Sequence, residues 1–388
     1  MSLFAENWFS AYNSLRIKQF DSRRITNAIF ESVLKELQAL DYNIIGKSAE
    51  NRPIYKLKIG TGTKNVLAWA CMHGNETTSL RGWMDLFANQ HSEPVLSGFN
   101  DILNEFTIHF IPILNPDGAE HYSRRNAMAI DMNRDARALV TPEMQVLINQ
   151  IKGLKPAVAF NLHDQRNIFT AGDLPATISF LAPSVDVERT VTQERKITMD
   201  LIGAASKAIR PILTGGVGRY TDEYYPTAIG ERIQQMGIPT ILVECGPAKN
   251  DPLRQEARML NAVILQAVLN RFSKINQPDT DTYFNIPVNK TNQADIVIRK
   301  VLFKSNRSAF YADISLLEEL VLKNSTLVQQ FRILDLGDLS HQKGLLECDF
   351  VSSKRPPNIS PGNLADFELL TTAGELVFVD GLKMNTPA

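Results

Sequence analysis

The stretch Ala70-Cys71-Met72-His73-Gly74-Asn75-Glu76 decides how this chain is read. Val66 to Met72 is an apolar run and reads as a buried strand. It stops at a histidine, turns at a glycine, and reaches a carboxylate three residues after the histidine. A helical pattern follows from Thr77. The end of a strand, followed by a turn and a helix start, is where open α/β sheets gather ligands and chemistry. His73 and Glu76 on one tight turn can face a common point, which suits a cation with nitrogen and oxygen ligands, zinc first among them. The plainer reading is a histidine ending a strand and a glutamate in the first helical turn, where the helix dipole favours it. The rest of the chain decides between the two.

Working outward, 388 residues with 44% hydrophobic and 21% charged content describe a globular protein able to build a large core. A net charge of -1 gives no sign of a nucleic-acid partner or of an anionic membrane surface. Cys71, Cys245 and Cys348 are too few and too scattered for a disulfide framework or a paired-cysteine metal site, and fit a reducing compartment. The N-terminal residues lack a charged head followed by an apolar core, so a cytoplasmic location is expected of the chain as given, although a cleaved leader would leave the same picture. No apolar run reaches membrane-spanning length.

Residues 1–20 read as a short surface helix, and Ile25 to Leu40 as an amphipathic helix capped at Asp21 or Ser22. Tyr55–Gly60 and Val66–Met72 read as neighbouring strands, and residues 77–90 as a helix. Phe106–Leu114 is an apolar strand that ends in the turn sequence Asn115-Pro116-Asp117-Gly118. Thr141-Pro142-Glu143 opens a helix. Ala157–Leu162 is a buried strand stopping at His163, and Thr240–Val243 is another stopping at Glu244. Residues 192–209, 230–236 and 252–272 are helical, and residues 215–225 read as a loop carrying Tyr220, Tyr224 and Tyr225. The polar segment 276–282 reads as a linker, dividing a domain at 1–275 from a small β-rich domain at 283–388. Within the latter, 296–302, 367–370 and 376–379 read as strands and 314–323 as a helix.

Three strands of the first domain thus end at His73/Glu76, His163 and Glu244. Two histidines and a glutamate form the ligand set of a catalytic zinc with one open position. A further carboxylate beside that position can act as general base. Between the ligand strands lie Arg124-Arg125-Asn126 and Asp131-Met132-Asn133-Arg134. Arginine and amide groups there suit a developing oxyanion or a substrate carboxylate gripped bidentately. Asp131 could orient a ligand histidine from behind.

In this order, from about residue 44 to 270, these pieces resemble the zinc metallocarboxypeptidases of the carboxypeptidase A type, an M14-like peptidase family. The resemblance implies a mixed, largely parallel eight-stranded sheet with helices on both faces, and one zinc ion held by His73, Glu76 and His163. It implies Asp131 behind the first histidine, Arg124 as the transition-state arginine, and Asn133 with Arg134 on the terminal carboxylate of the substrate. It implies Glu244 as general base. The family's mobile tyrosine precedes the base by about twenty residues; Tyr224 and Tyr225 stand 20 and 19 before Glu244, Tyr220 stands 24 before it, and Tyr225 is taken. Arg125 reads as a solvated neighbour, and Cys71 and Cys245 as small buried hydrophobes.

The expected activity is zinc-dependent removal of C-terminal residues from peptides, with a peptide or acyl-amino acid bearing a free carboxylate as the partner. The His-Gly-Asn-Glu spelling also occurs in acyl-amino-acid deacylases of the desuccinylase and aspartoacylase kind, which keeps that alternative open. A non-catalytic zinc module is the alternative outside the enzymes; Glu244 and Arg124 together argue against it. Neither oligomeric state nor the role of the second domain follows from the residues.

Overall fold

A computed structural model describes residues 2–92, 96, 98–304, 308–355 and 360–384. Ten strands make the first sheet: β1 (Asp41–Lys47), β2 (Pro53–Ile59), β3 (Lys64–Trp69), β4 (Phe106–Ile111), β5 (Val158–Asp164), β6 (Phe169–Ala171), β7 (Leu174–Leu181), β8 (Gly216–Arg219), β9 (Thr240–Cys245) and β10 (Lys290–Thr291). Their spatial order is β1-β2-β4-β3-β5-β9-β7-β6-β10, with β8 on β7. The central strands β4, β3, β5 and β9 run parallel, β2 and β7 flank them antiparallel, and β1 pairs antiparallel with β2 at the edge. The eight strands other than β6 and β10 form the expected mixed sheet; β6 and β10 are additions of three and two residues.

Alternation along β3 builds two cores. Val66 and Ala68 face one side, under the helices Thr78–Ala88, Gln193–Ile209 and Gln255–Phe272. Leu67 and Trp69 face the other, under the helices Pro142–Leu154 and Ile229–Gln235. A period of two places residues i and i+2 on one face, so helices on both sides of a sheet bury every position of the central strands. On the first side Trp83 packs against Phe110 and Phe160 with ring centroids 5.1 and 5.2 Å away. Arg258 and Asp85, both fully buried, pair through Nε at 2.7 Å and Nη2 at 2.8 Å. That pair locks the helix Gln255–Phe272 to the helix Thr78–Ala88.

Local expectations fail where tertiary pairing outweighs sequence spacing. Tyr55–Gly60 and Val66–Met72 are not partners, because β4 inserts between β2 and β3. The helix Asn27–Glu36 is capped by the Thr26 hydroxyl, which accepts from Ile29 N at 3.3 Å, rather than by Asp21 or Ser22. Gly216–Arg219, read as loop, is a strand paired with β7.

Seven strands form a second sheet: β11 (Gln293–Lys304), β12 (Ala309–Lys323), β13 (Thr326–Gly337), β14 (Lys343–Arg355), β15 (Phe367–Thr371), β16 (Gly374–Val379) and β17 (Leu382–Met384). Its order is β13-β12-β11-β14-β15-β16-β17 around a core that includes Ile298, Leu316, Phe331, Phe367 and Phe378. The expected helix at 314–323 is instead the body of β12. Its apolar residues are spaced for either structure, and ladders to β11 and β13 on its two sides settle it as a strand. The polar stretch 276–282 leads into a short helix, Asp281–Phe284, whose Tyr283 hydroxyl accepts from Ala182 N at 3.2 Å. β10 then pairs with β6 before the second sheet starts at Gln293.

Candidate metal and active site

His73 and Glu76 follow the end of β3, His163 is on β5, and Glu244 is on β9. The turn that carries the first two is tightly specified. Cys71 adopts a left-handed backbone with φ 48°, which is uncommon for a residue with a side chain. A Cβ on Gly74 would stand 1.9 Å from the Gly118 carbonyl carbon, so only glycine lets the two turns touch. Asn115 ties the same turns together, donating from Nδ2 to Met72 O at 3.1 Å and accepting from Gly118 N at 2.8 Å.

The three candidate ligands converge. His73 Nδ1 lies 2.8 Å from Glu76 Oε1, and His163 Nδ1 lies 2.8 Å from Glu76 Oε2. One ligand atom from each residue lies within 4.8 Å of the others, and all three residues are buried. His73 Nε2 faces Asp131 Oδ1 at 3.1 Å. His73 thus has a carboxylate oxygen at each ring nitrogen, and a neutral imidazole can donate to only one of them. At Nδ1 the Glu76 oxygen calls for a positive group between them, a proton, a metal ion or the Arg124 Nη1–H that stands 3.2 Å away. With Nε2–H held by Asp131, Nδ1 offers its lone pair to an ion, the arrangement that metal-binding histidines use. Two imidazoles and one carboxylate, buried, with the half-exposed Arg124 beside them, fit a catalytic zinc.

The charges agree with that reading. Burial alone would raise the Glu76 carboxyl, but His73 and His163 outweigh it and hold it well below the usual range. Burial would lower His73, yet Glu76 and Asp131 carry it up. His163 is pushed down, chiefly by burial. Asp131 lies well below its ordinary value because His73 and Arg124 overcome its desolvation. Glu244 is pushed well up, first by burial and then by the Glu76 and Asp164 charges.

Around this centre the structure places the other candidates as follows. Arg124 is half exposed; its Nε donates to Asp131 Oδ2 at 3.0 Å, and Nη1 reaches His73 Nδ1 at 3.2 Å. Arg125 turns away and donates to Ala129 O at 2.9 Å. Asn133 Oδ1 accepts from Ile229 N at 3.1 Å, which fixes the loop to the helix Ile229–Gln235. Arg134 is exposed, and its guanidinium lies 5.4 Å from the ring centroid of Tyr225. Tyr224 instead accepts from Gln235 Nε2 at 2.7 Å, away from the triad.

Two further residues, one beside the centre and one beside Arg134, lie outside the sequence assignment. Tyr220, passed over in favour of Tyr225, continues β8, and its backbone N donates to Phe180 O at 2.9 Å. Its hydroxyl donates to Gln165 Oε1 at 2.9 Å, two residues past His163, and burial with the Glu244 charge raises its pKa. Glu231, five per cent exposed, lies in the first turn of the helix beside Arg134, and burial pushes its carboxyl up to about 7. A glutamate in a first helical turn is so common that its position gave no signal.

Residues 30–175 match the family model described as zinc carboxypeptidase, Peptidase M14, and this span holds all three candidate ligands. The matched region is similar to the zinc carboxypeptidases. Zinc-dependent peptide hydrolysis is the chemistry of that family. No curated protein sequence matches the chain. Among solved structures, the chain resembles a metallo-carboxypeptidase from Burkholderia cenocepacia at 21% identity and TM-score 0.52, covering 65% of this chain and 70% of that one. It resembles a carboxypeptidase from Burkholderia mallei at 19% identity and TM-score 0.51, covering 65% and 69%. A third is the carboxypeptidase A of Helicoverpa armigera at 16% identity and TM-score 0.50, covering 65% and 75%. At these identities the likeness is one of fold.

Proposed function

We propose that this protein removes C-terminal residues from peptides, using Glu244 as general base and the Asn133–Arg134 loop as the seat of the substrate carboxylate. The observation that carries the proposal is the convergence of His73, Glu76 and His163, with Glu244 the register partner of His163 on the neighbouring strand. His73, Glu76 and His163 would hold one zinc ion. Bound there, it would polarise the scissile carbonyl and make a water acidic enough to attack near neutral pH.

The chain's own residues do the rest. Arg134, exposed beside Tyr225, receives the free carboxylate of the last residue, and Asn133 holds the loop in place. This fixes the scissile carbonyl near the mouth, within reach of Arg124. Arg124 donates to the oxygen as it gains charge, a role that needs donors set in advance. Glu244 takes a proton from the attacking water and returns it to the departing amine. Its raised pKa suits both steps.

Protein carrying one equivalent of zinc should cleave blocked dipeptides, and a chelator should abolish the cleavage. Activity undiminished after complete zinc removal would contradict the proposal.

A further inference from the structure

Arg254 opens the helix Gln255–Phe272 in a left-handed backbone with φ 53° and is five per cent exposed. Its side chain runs inward to the ends of the two strands that carry His163 and Glu244. Nη1 donates to Cys245 O at 2.6 Å, one residue past Glu244. Nη2 donates to Gln165 O at 2.8 Å, two residues past His163, and to Asn167 Oδ1 at 2.8 Å. The last register pair between β5 and β9 is Asp164 with Cys245, so the guanidinium clamps the strands where their ladder stops. Asp164 Oδ2 lies 3.6 Å from Nη1, and the Asp164 N–H donates to Glu76 Oε2 at 3.2 Å.

The contact continues into the second sheet. Asn167 Nδ2 donates to Asp295 Oδ1 on β11 at 2.8 Å. Asp295 Oδ2 accepts from Glu318 N on β12 at 2.6 Å. The amide that receives the Arg254 fork is therefore held in turn by a carboxylate of the second sheet. A planar fork with several fixed donors can bridge two carbonyls and an amide; a lysine ammonium on a flexible stem cannot hold all three in one plane.

We propose that Arg254 is a positioning residue that sets the spacing of Glu244 and His163, and that the second sheet supports catalysis by holding Arg254 through Asn167 and Asp295. The proposal rests on the roles given above to Glu244 and His163. It assigns the second sheet a part in the active site, distinct from docking substrate.

The test uses the full chain with Arg254→Lys, Asp295→Asn and the double variant. Small displacements at a reacting centre are costly, so kcat should fall roughly tenfold to a hundredfold in Arg254→Lys with KM little changed. Asp295→Asn should lower kcat less, and the double variant should fall short of the product of the two effects, as coupled residues do. With cobalt(II) in place of zinc, Arg254→Lys should shift the visible ligand-field bands, which report the placing of His163. Wild-type kcat with an unchanged cobalt spectrum would overturn the proposal, whatever the melting temperature. If Arg254→Lys does not fold, Asp295→Asn decides by the same two readouts. A wild type that binds cobalt but cleaves no peptide would overturn the peptidase reading instead, leaving the spectra to judge the positioning role.

Discussion

His163 and Glu244 are register partners on adjacent parallel strands, β5 and β9. Neighbouring strands lie about 4.8 Å apart, so the ladder, with the Arg254 fork at its end, brings a candidate metal ligand beside a candidate base. Parallel pairing also puts both side chains on the same face at the same end of the sheet. Glu244→Gln keeps the shape and removes the basic oxygen. It should retain one zinc per chain and lose about 10²–10⁴-fold in kcat. Metal content and steady-state rates on the same preparation check both halves.

Asp131 holds His73 Nε2 at 3.1 Å and also pairs with Arg124. Asp131→Ala frees the imidazole to rotate and to change tautomer. Zinc affinity should fall about 10–100-fold, measured by competition with a chromogenic chelator. An unchanged affinity would mean that Asp131 serves Arg124 alone.

Arg134 is exposed beside Tyr225, and its Nη1 donates to Asn133 O at 2.7 Å. Arg134→Ala should raise KM for substrates with a free carboxylate by about tenfold or more and erase the preference over their amides. Arg134→Lys should recover part of the charge effect but not the bidentate grip.

Glu231 provides a pH signature away from the metal ligands. Burial lifts its carboxyl to about 7 in the folded chain, against about 4.3 when unfolded. Between those values the native state binds the extra proton, so stability falls as pH rises through the window, by up to about 1.4 kcal/mol per pH unit. Glu231→Gln should flatten that decline, and denaturation midpoints at pH 5 and pH 7.5 measure it. An equally steep decline in the variant would show that the carboxyl is not the source.

The candidate ligands and base stood out because the residues that carry them end apolar strand runs. His73, His163 and Glu244 each mark where a buried segment meets the polar edge of the sheet. Arg124 could be told from Arg125 through the motif around it, and the structure turns Arg125 away. The Arg254 clamp was not legible. Its acceptors are backbone carbonyls and an amide brought from as far as residue 165, and backbone acceptors leave no mark in a sequence. Tyr220 was passed over because distance along the chain from Glu244 was the only guide; pairing of β8 with β7 brings it in. The strand at 314–323 was misread because apolar spacing alone cannot tell a two-sided strand from a helix.

The most direct test of the central claim is hydrolysis of N-blocked dipeptides by zinc-loaded protein, each offered with a free and with an amidated C-terminus, with and without chelator. The account predicts cleavage of the free-carboxylate members alone, lost when zinc is removed. Equal cleavage of the amides, or hydrolysis confined to N-acetyl or N-succinyl amino acids, would contradict it.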